Sequence, residues 1–152
     1  MAALKLDTVS DQLIEAEYHR RFSIQPGTEV NNSDIAARHF TGMLSGNTGK
    51  ECFAVIFLNG CNKFIAGEIM FKGTLTKAGV FPREIAKRSL EMNAAAIICA
   101  HNHPSGNLRP SREDIDVTAR IKAALKTVDV ALHDHLIIAG AGKCSFADDG
   151  LL

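Results

Sequence analysis

The sequence predicts a single domain of the α/β class. Its 152 residues suit one hydrophobic core. Segments with helical spacing alternate along the chain with apolar, β-rich segments. One short and wholly apolar segment, 94–100, is typical of a central strand that is covered on both faces. The sequence contains no internal repeat and no low-complexity tract.

Four segments carry helical spacing or helix-end signals. Residues 10–22 place apolar and aromatic side chains at intervals of three and four. Ser33 is the predicted N-cap of a helix over 34–44. Proline is favoured in a first helical turn, which predicts a third helix from Pro82 to about Met92. A fourth helix is predicted from Ser111 to about Val128, with one apolar stripe.

The remaining apolar segments predict strands. Two β-rich runs within 51–73 flank the dipeptide Asn59-Gly60, which favours a hairpin. Segment 94–100 predicts the central strand. Segments 130–140 and 143–149 predict two closing strands.

The composition is that of an ordinary globular protein. Hydrophobic residues make up 46%, charged residues 22%, and the formal net charge is zero, so no overall charge favours nucleic acid or a membrane surface. The longest apolar run is too short to span a bilayer. We expect no signal peptide, because the N-terminus lacks a basic segment followed by an apolar one. The four cysteines form no CxxC pair, which predicts free thiols and a cytoplasmic protein.

The segment IICAHNHPSGNLRPSREDID, residues 97–116, contains the candidate metal-binding residues. Residues two apart in a strand point to one face, so His101 and His103 present their imidazoles together at the strand end. Asp114 lies three residues after Ser111, one turn along a helix. Two His and one Asp leave a tetrahedral zinc with one open position, which is typical of catalytic sites. A water bound there has its pKa lowered from about 15.7 to about 7.

A helix cap is the alternative interpretation of Ser111 and Asp114. In a capping box the two side chains satisfy free backbone amides at a helix start. Taken alone, that pair favours the cap. The cap does not account for the two histidines, so the whole segment favours a metal site.

The pattern His101-x-His103-x7-Ser111-x2-Asp114 resembles that of the JAMM (JAB/MPN) metalloprotease-like domains. The longer text from about Ser33 to Leu152 resembles the RadC branch of that superfamily. The chain is similar to short, stand-alone RadC-like bacterial proteins, without the helix-hairpin-helix-like region that precedes the domain in full-length RadC proteins. The resemblance implies a JAB/MPN-like domain over 33–152, with a mixed β-sheet flanked by helices as in cytidine deaminases. Residues 1–32 would form an N-terminal helix and a connector.

The resemblance also implies roles for individual residues. His101, His103 and Asp114 would bind Zn²⁺, and Ser111 would support the tetrahedral intermediate. The family uses an upstream glutamate as general base, and Glu51 matches its place before the first core strand. Glu68 is the alternative base, and the sequence leaves the choice open, with Glu51 preferred.

Other polar residues lie near this pattern. Cys99 alternates onto the face of His101 and His103, so a Cys-His-His site is an alternative, but its place within an apolar strand favours a buried structural thiol. His133 and His135 are expected to share one face of their strand. Asp134-His135 also recurs in the RadC pattern, which predicts that these two residues support the site through ligand contacts.

The sequence therefore predicts a zinc-dependent hydrolase of the JAMM type, a metallopeptidase or isopeptidase with a peptide or protein substrate. A DNA-associated accessory protein, as the DNA-repair label of RadC suggests, is the alternative from another class, and an inactive interaction module is a third. The neutral charge, the single Tyr and the absence of Trp do not favour nucleic acid as a partner. The intact ligand set disfavours an inactive module. The sequence predicts neither the substrate nor the oligomeric state.

Overall fold

The computed structural model describes residues 9–47, 49–73 and 79–152. Helices and strands follow one another along these residues in the order that the sequence predicts. In chain order they are α1 (Asp11–Phe22), α2 (Ser33–Leu44), β1 (Cys52–Leu58), β2 (Phe64–Lys72), α3 (Pro82–Glu91), β3 (Ala96–Asn102), α4 (Arg112–Lys126), β4 (Ala131–Ala139) and β5 (Gly142–Ser145).

The strands form one mixed sheet in the order β2-β1-β3-β4-β5. β3 pairs antiparallel with β1 and parallel with β4. A parallel neighbour requires a crossover connection, and α4 supplies it. Every residue of β3 is buried, as predicted for a central strand. The α/β class and the mixed sheet flanked by helices are both confirmed.

Helices cover both faces of the sheet and create two apolar cores. On one face, α2 contributes Phe40 to a core that includes Ile56 and Ile98. On the other face, α3 and α4 contribute Ile85 and Ile121 to a second core, which also holds Phe53, Phe57, Ile97 and Cys99. The alternation of side chains along β3 thus sends its odd-numbered residues, His101 among them, toward α4.

Two local predictions differ from the structure in detail. Asn32, not Ser33, is the N-cap of α2, since its side chain accepts from the Ile35 amide at 2.9 Å. The Ser33 hydroxyl instead donates to Asp148 at 2.6 Å. The two residues are 115 positions apart in the sequence, so the local sequence around Ser33 does not predict this contact. The hairpin around Asn59-Gly60 is confirmed, but its connection spans residues 59–63.

A bulge in β4 changes which residues share a face. Ile97 pairs with Leu132, whereas the next residue, Ile98, pairs with Asp134, so the bulge skips His133. His133 is exposed and contacts the Asn62 side chain at 2.8 Å. The prediction that His133 and His135 share a face is therefore wrong, because a bulge breaks the two-residue period of a strand.

The segment before α2 is attached to this fold. None of the residues of α1 is buried, but Val30 is buried in the first core. Glu29 forms a bridge with Lys63. The domain boundary between residues 32 and 33 stays a prediction. Within the described residues, no helix combines the length and apolar character needed to cross a membrane.

Candidate metal centre

The end of β3 and the start of α4 bring three potential ligands together. The Nε2 atoms of His101 and His103 lie 2.8 Å apart. The Asp114 carboxylate reaches both rings, with Oδ1 3.1 Å from His101 Nε2 and Oδ2 3.4 Å from His103 Nε2. Ligand atoms that surround a tetrahedral zinc at about 2.1 Å lie about 3.4 Å from one another. The three side chains therefore have the chemistry of zinc ligands, and their separations lie at or slightly below the tetrahedral value.

Ser111 and Asp114 form a capping box at the start of α4. The Asp114 amide donates to Ser111 Oγ at 3.1 Å, and the Ser111 amide donates to Asp114 Oδ2 at 2.8 Å. The cap and the metal site are thus compatible, because the carboxylate that caps the helix also faces the histidines. The cap uses the Ser111 oxygen as an acceptor, which leaves its hydroxyl hydrogen for another partner.

The loop after His103 orients its ring. His103 Nδ1 donates to the Asn107 carbonyl at 2.6 Å, which leaves Nε2 of the neutral ring to bind a metal. Gly106 allows the tight turn, with φ of +83°. Leu108 packs against Gly142 so closely that a Cβ on Gly142 would lie 2.7 Å from Leu108 Cδ1. Because Gly142 has no side chain, Leu108 and its loop can pack directly against β5.

Burial and hydrogen bonds compete at the Asp114 carboxylate. Asp114 is only 3% exposed, and burial by itself would raise its pKa. Contacts with the His101 and His103 rings outweigh that effect and hold the pKa of Asp114 well below its usual range. The same contact with Asp114 raises the pKa of His103. The carboxylate is therefore ionised, as a metal ligand must be.

His135 contacts His101 at Nδ1, the ring nitrogen that does not face His103 and Asp114. Its Nε2 lies 2.8 Å from His101 Nδ1, and its ring packs between Phe53 and Phe146, with centroids 5.5 and 4.8 Å away. Burial lowers the pKa of His135 well below its usual value. His135 is therefore neutral at the site. Its other ring nitrogen contacts Thr118, a residue that the sequence analysis did not single out.

Asp134 points away from the ligands. One oxygen accepts from the Ala147 amide at 2.9 Å and the His135 amide at 2.7 Å, and the other accepts from the Ser145 hydroxyl at 2.6 Å. Asp134 thereby ties the C-terminal turn to β4, and among the described residues its link to the site is the His135 amide.

Cys99 is fully buried and donates weakly to the backbone carbonyl of Asp134, with Sγ 3.7 Å away. Burial raises the pKa of its thiol. Among the described residues, the cluster of His, Cys, Asp and Glu side chains that could hold a metal consists of His101, His103 and Asp114. The thiol therefore has the surroundings of a core residue.

Glu51 lies directly before β1 and lines a cleft that extends to Pro104, the residue after His103. The cleft has a volume of about 590 Å³, and Lys72, Pro104 and Ser105 also line it. After the larger effects of Asp114 and the loop, the charge of Glu51 also raises the pKa of His103. The structure thus places this carboxylate within electrostatic reach of the site.

Asn102, between the two histidines, was missed by the sequence analysis. Its side-chain oxygen accepts from the Cys52 amide at 2.7 Å, and its amide nitrogen donates to the Lys50 carbonyl at 2.9 Å. Asn102 therefore holds the backbone on both sides of Glu51 against the end of β3. A polar residue at the buried end of an apolar strand was the signal that could have identified it.

Glu68 is held in a different contact. Both of its oxygens accept from the Arg88 guanidinium on α3, at 2.9 and 2.5 Å. That ion pair lowers the pKa of Glu68. Glu68 pairs with Val55 of β1, whereas His101 pairs with Phe53. The surroundings of Glu51 suit a general base better, and its role stays a prediction.

The fold and the cluster of two histidines and one aspartate are those of a single α/β domain of the JAB type. A family model described as "RadC-like JAB domain" matches residues 30–151. The chain belongs to this family, as its resemblance to RadC predicts.

Curated relatives extend the comparison. The chain is 42% identical over 137 residues to a UPF0758 protein of Photobacterium profundum, a match that covers 90% of this chain and 61% of the relative. It is 47% identical over 125 residues to a UPF0758 protein of an Acidovorax species, covering 82% of this chain and 52% of the relative. A UPF0758 protein of Thiobacillus denitrificans is 48% identical over 121 residues, which are 80% of this chain and 54% of the relative. The chain thus spans between half and two thirds of the length of these relatives.

Proposed function

We propose that this chain is a zinc-dependent hydrolase of the JAMM type that cleaves a peptide or isopeptide-like bond. The convergence of His101 Nε2, His103 Nε2 and the Asp114 carboxylate within 4.8 Å is the observation that carries the proposal. Three protein ligands are the number that catalytic zinc sites use, since the fourth position is kept for water or substrate. A bound zinc would polarise the substrate carbonyl and lower the pKa of a coordinated water to about 7.

Residues of the protein would transfer the proton and stabilise the developing negative charge. Glu51 accepts the proton that the attacking water loses and passes it to the leaving amine, so it acts as base and then as acid. The Ser111 hydroxyl donates a hydrogen bond to the carbonyl oxygen as negative charge develops there. The capping box supports this role, because it positions the hydroxyl beside Asp114 without using its hydrogen.

The surface around the site suits an extended substrate. Pro104 and Ser105 line both the cleft at Glu51 and a second cavity of about 460 Å³, which Leu44 and Ile138 also line. A peptide that passes over Pro104 and Ser105 would place a carbonyl near His103. We place the reaction in the cytoplasm, because Cys52 and Cys99 are buried as free thiols and disulfides are rare there.

A cleavage assay with controlled metal content tests this function. Protein stripped by a chelator and then dialysed is incubated with a library of peptides and isopeptide-linked peptides, with and without one equivalent of zinc. We expect cleavage that appears with zinc and disappears with chelator. The Glu51→Gln variant is the matched control, since it should bind zinc equally well and cleave nothing. Cleavage that is equal in stripped and zinc-loaded protein would contradict the proposal.

A further inference from the structure

A chain of buried hydrogen bonds runs behind the ligands and returns to them. His101 Nδ1 lies 2.8 Å from His135 Nε2, and His135 Nδ1 lies 2.5 Å from Thr118 Oγ1. Thr118 Oγ1 in turn lies 2.6 Å from the backbone carbonyl oxygen of Asp114. The ring of His101, the ring of His135 and the Thr118 side chain are all buried, so water does not compete for these contacts.

The direction of each bond follows from counting hydrogens. A backbone carbonyl only accepts, and two oxygens 2.6 Å apart repel unless a hydrogen lies between them. The single hydroxyl hydrogen of Thr118 must therefore point to the Asp114 carbonyl. The Thr118 oxygen is then the acceptor for a hydrogen on His135 Nδ1. A neutral imidazole carries one hydrogen, so His135 Nε2 is an acceptor, and His101 Nδ1 donates to it.

We propose that Thr118 and His135 are positioning residues that fix the hydrogen of His101 on Nδ1, so that the lone pair of Nε2 faces the metal. The inference rests on the proposed zinc site and extends it to two residues that touch neither metal nor substrate. His103 has the equivalent arrangement by a simpler route, because the Asn107 carbonyl accepts from its Nδ1. Both histidines are thereby oriented as ligands before any metal arrives.

The same chain links the two elements that carry the ligands. It begins on β3, crosses β4 at His135 and ends on the backbone of Asp114, whose side chain is itself a ligand. Loss of the Thr118 hydroxyl would free His135 to carry its hydrogen on Nε2. That hydrogen would then point at His101 Nδ1 and move the hydrogen of His101 to Nε2, where it blocks metal binding. Partners of this kind typically contribute about 10–100-fold to metal affinity.

Two variants of Thr118 separate this role from packing. Thr118→Val keeps the shape of the side chain and removes the hydroxyl, whereas Thr118→Ser keeps the hydroxyl and removes a methyl group. Zinc affinity is measured by competition with a fluorescent chelator, on protein that circular dichroism shows to be folded. We expect Thr118→Val to bind zinc about 10–100-fold more weakly than wild type. Thr118→Ser should stay within a few-fold of wild type.

The position of the hydrogens is measured directly in metal-free wild-type protein. Long-range ¹H–¹⁵N NMR correlations of the ring nitrogens should show the hydrogen of His135 on Nδ1 and that of His101 on Nδ1. A hydrogen on Nε2 of neutral His135 would overturn the inference even if Thr118→Val failed to fold. Equal zinc affinity of folded Thr118→Val and wild type would overturn it as well. Failure of the wild-type chain to bind zinc at all would instead contradict the metal centre and leave the hydrogen positions as measured.

Discussion

The two roles of Ser111 make separable predictions. In the structure its oxygen accepts from the Asp114 amide at 3.1 Å, and loss of such an N-cap costs about 0.5–2 kcal/mol. For a chain of this length, each 1 kcal/mol lowers Tm by about 2–4 °C. Ser111→Ala should therefore melt roughly 1–8 °C below wild type in a calorimetric scan.

The proposed mechanism gives the Ser111 hydroxyl hydrogen a catalytic role that is separate from the helix cap. If it stabilises the developing oxyanion, its loss should lower kcat by about 10²–10³-fold. Asn and Asp are good N-caps without a hydroxyl. Ser111→Asn and Ser111→Asp should therefore be nearly as stable as wild type, keep zinc and be almost inactive.

Ser111→Thr is the matched control, because it retains both the cap and the hydroxyl. Steady-state kinetics on zinc-loaded protein, with the same peptide substrate for all variants, provides kcat and KM separately. We expect the threonine variant to retain most of the wild-type kcat. An active Ser111→Asp enzyme would refute the oxyanion role and reduce Ser111 to a helix cap.

The remaining predictions concern the base, the C-terminal turn and DNA. Glu51→Gln should keep zinc and lose hydrolysis, whereas Glu68→Gln should keep both. The Glu68 variant should lose at most about 1 kcal/mol of stability, because its ion pair to Arg88 is partly exposed. The reverse pattern of activities would assign Glu68 as the base. Asp134→Asn should lower the free energy of unfolding by about 1–3 kcal/mol, because it disturbs buried hydrogen bonds to Ser145 and the backbone. The zinc content of this variant should equal that of wild type. Loss of zinc from the folded variant would show that Asp134 takes a direct part in the site. Given the zero net charge, binding to duplex DNA in a fluorescence-anisotropy titration should be salt-sensitive and near the non-specific range of about 10⁻⁴–10⁻⁶ M; tight, sequence-selective binding at physiological salt would favour the accessory-protein alternative.

Local signals predict most elements of this fold. Pro82 marks the start of α3, and Ser111 is the N-cap of α4, as predicted. The apolar segment 94–100 predicts a central strand, and β3 occupies that place. These features depend on backbone and side-chain preferences within a few residues. The pairing of β1 with β3 and the bulge at His133 depend on distant partners, so local pattern does not predict them.

The candidate site shows the same division. The spacing of His101, His103 and Asp114 is local, and the structure brings these three together. The roles of Thr118 and Asn102 depend on contacts with other elements, across 17 residues to His135 and 50 residues to Cys52. A partial signal for Thr118 was present, because it lies four residues after Asp114 and hence on the same face of α4.

Zinc stoichiometry tests the central claim most directly. Protein purified without added chelator is analysed for metal by mass spectrometry, together with His101→Ala, His103→Ala and the double variant, and with Glu51→Gln as the matched control. We expect about one zinc per chain in the wild type and in Glu51→Gln, and loss of that zinc from the histidine variants. Full zinc occupancy in a folded double variant would contradict the assignment of these side chains as ligands.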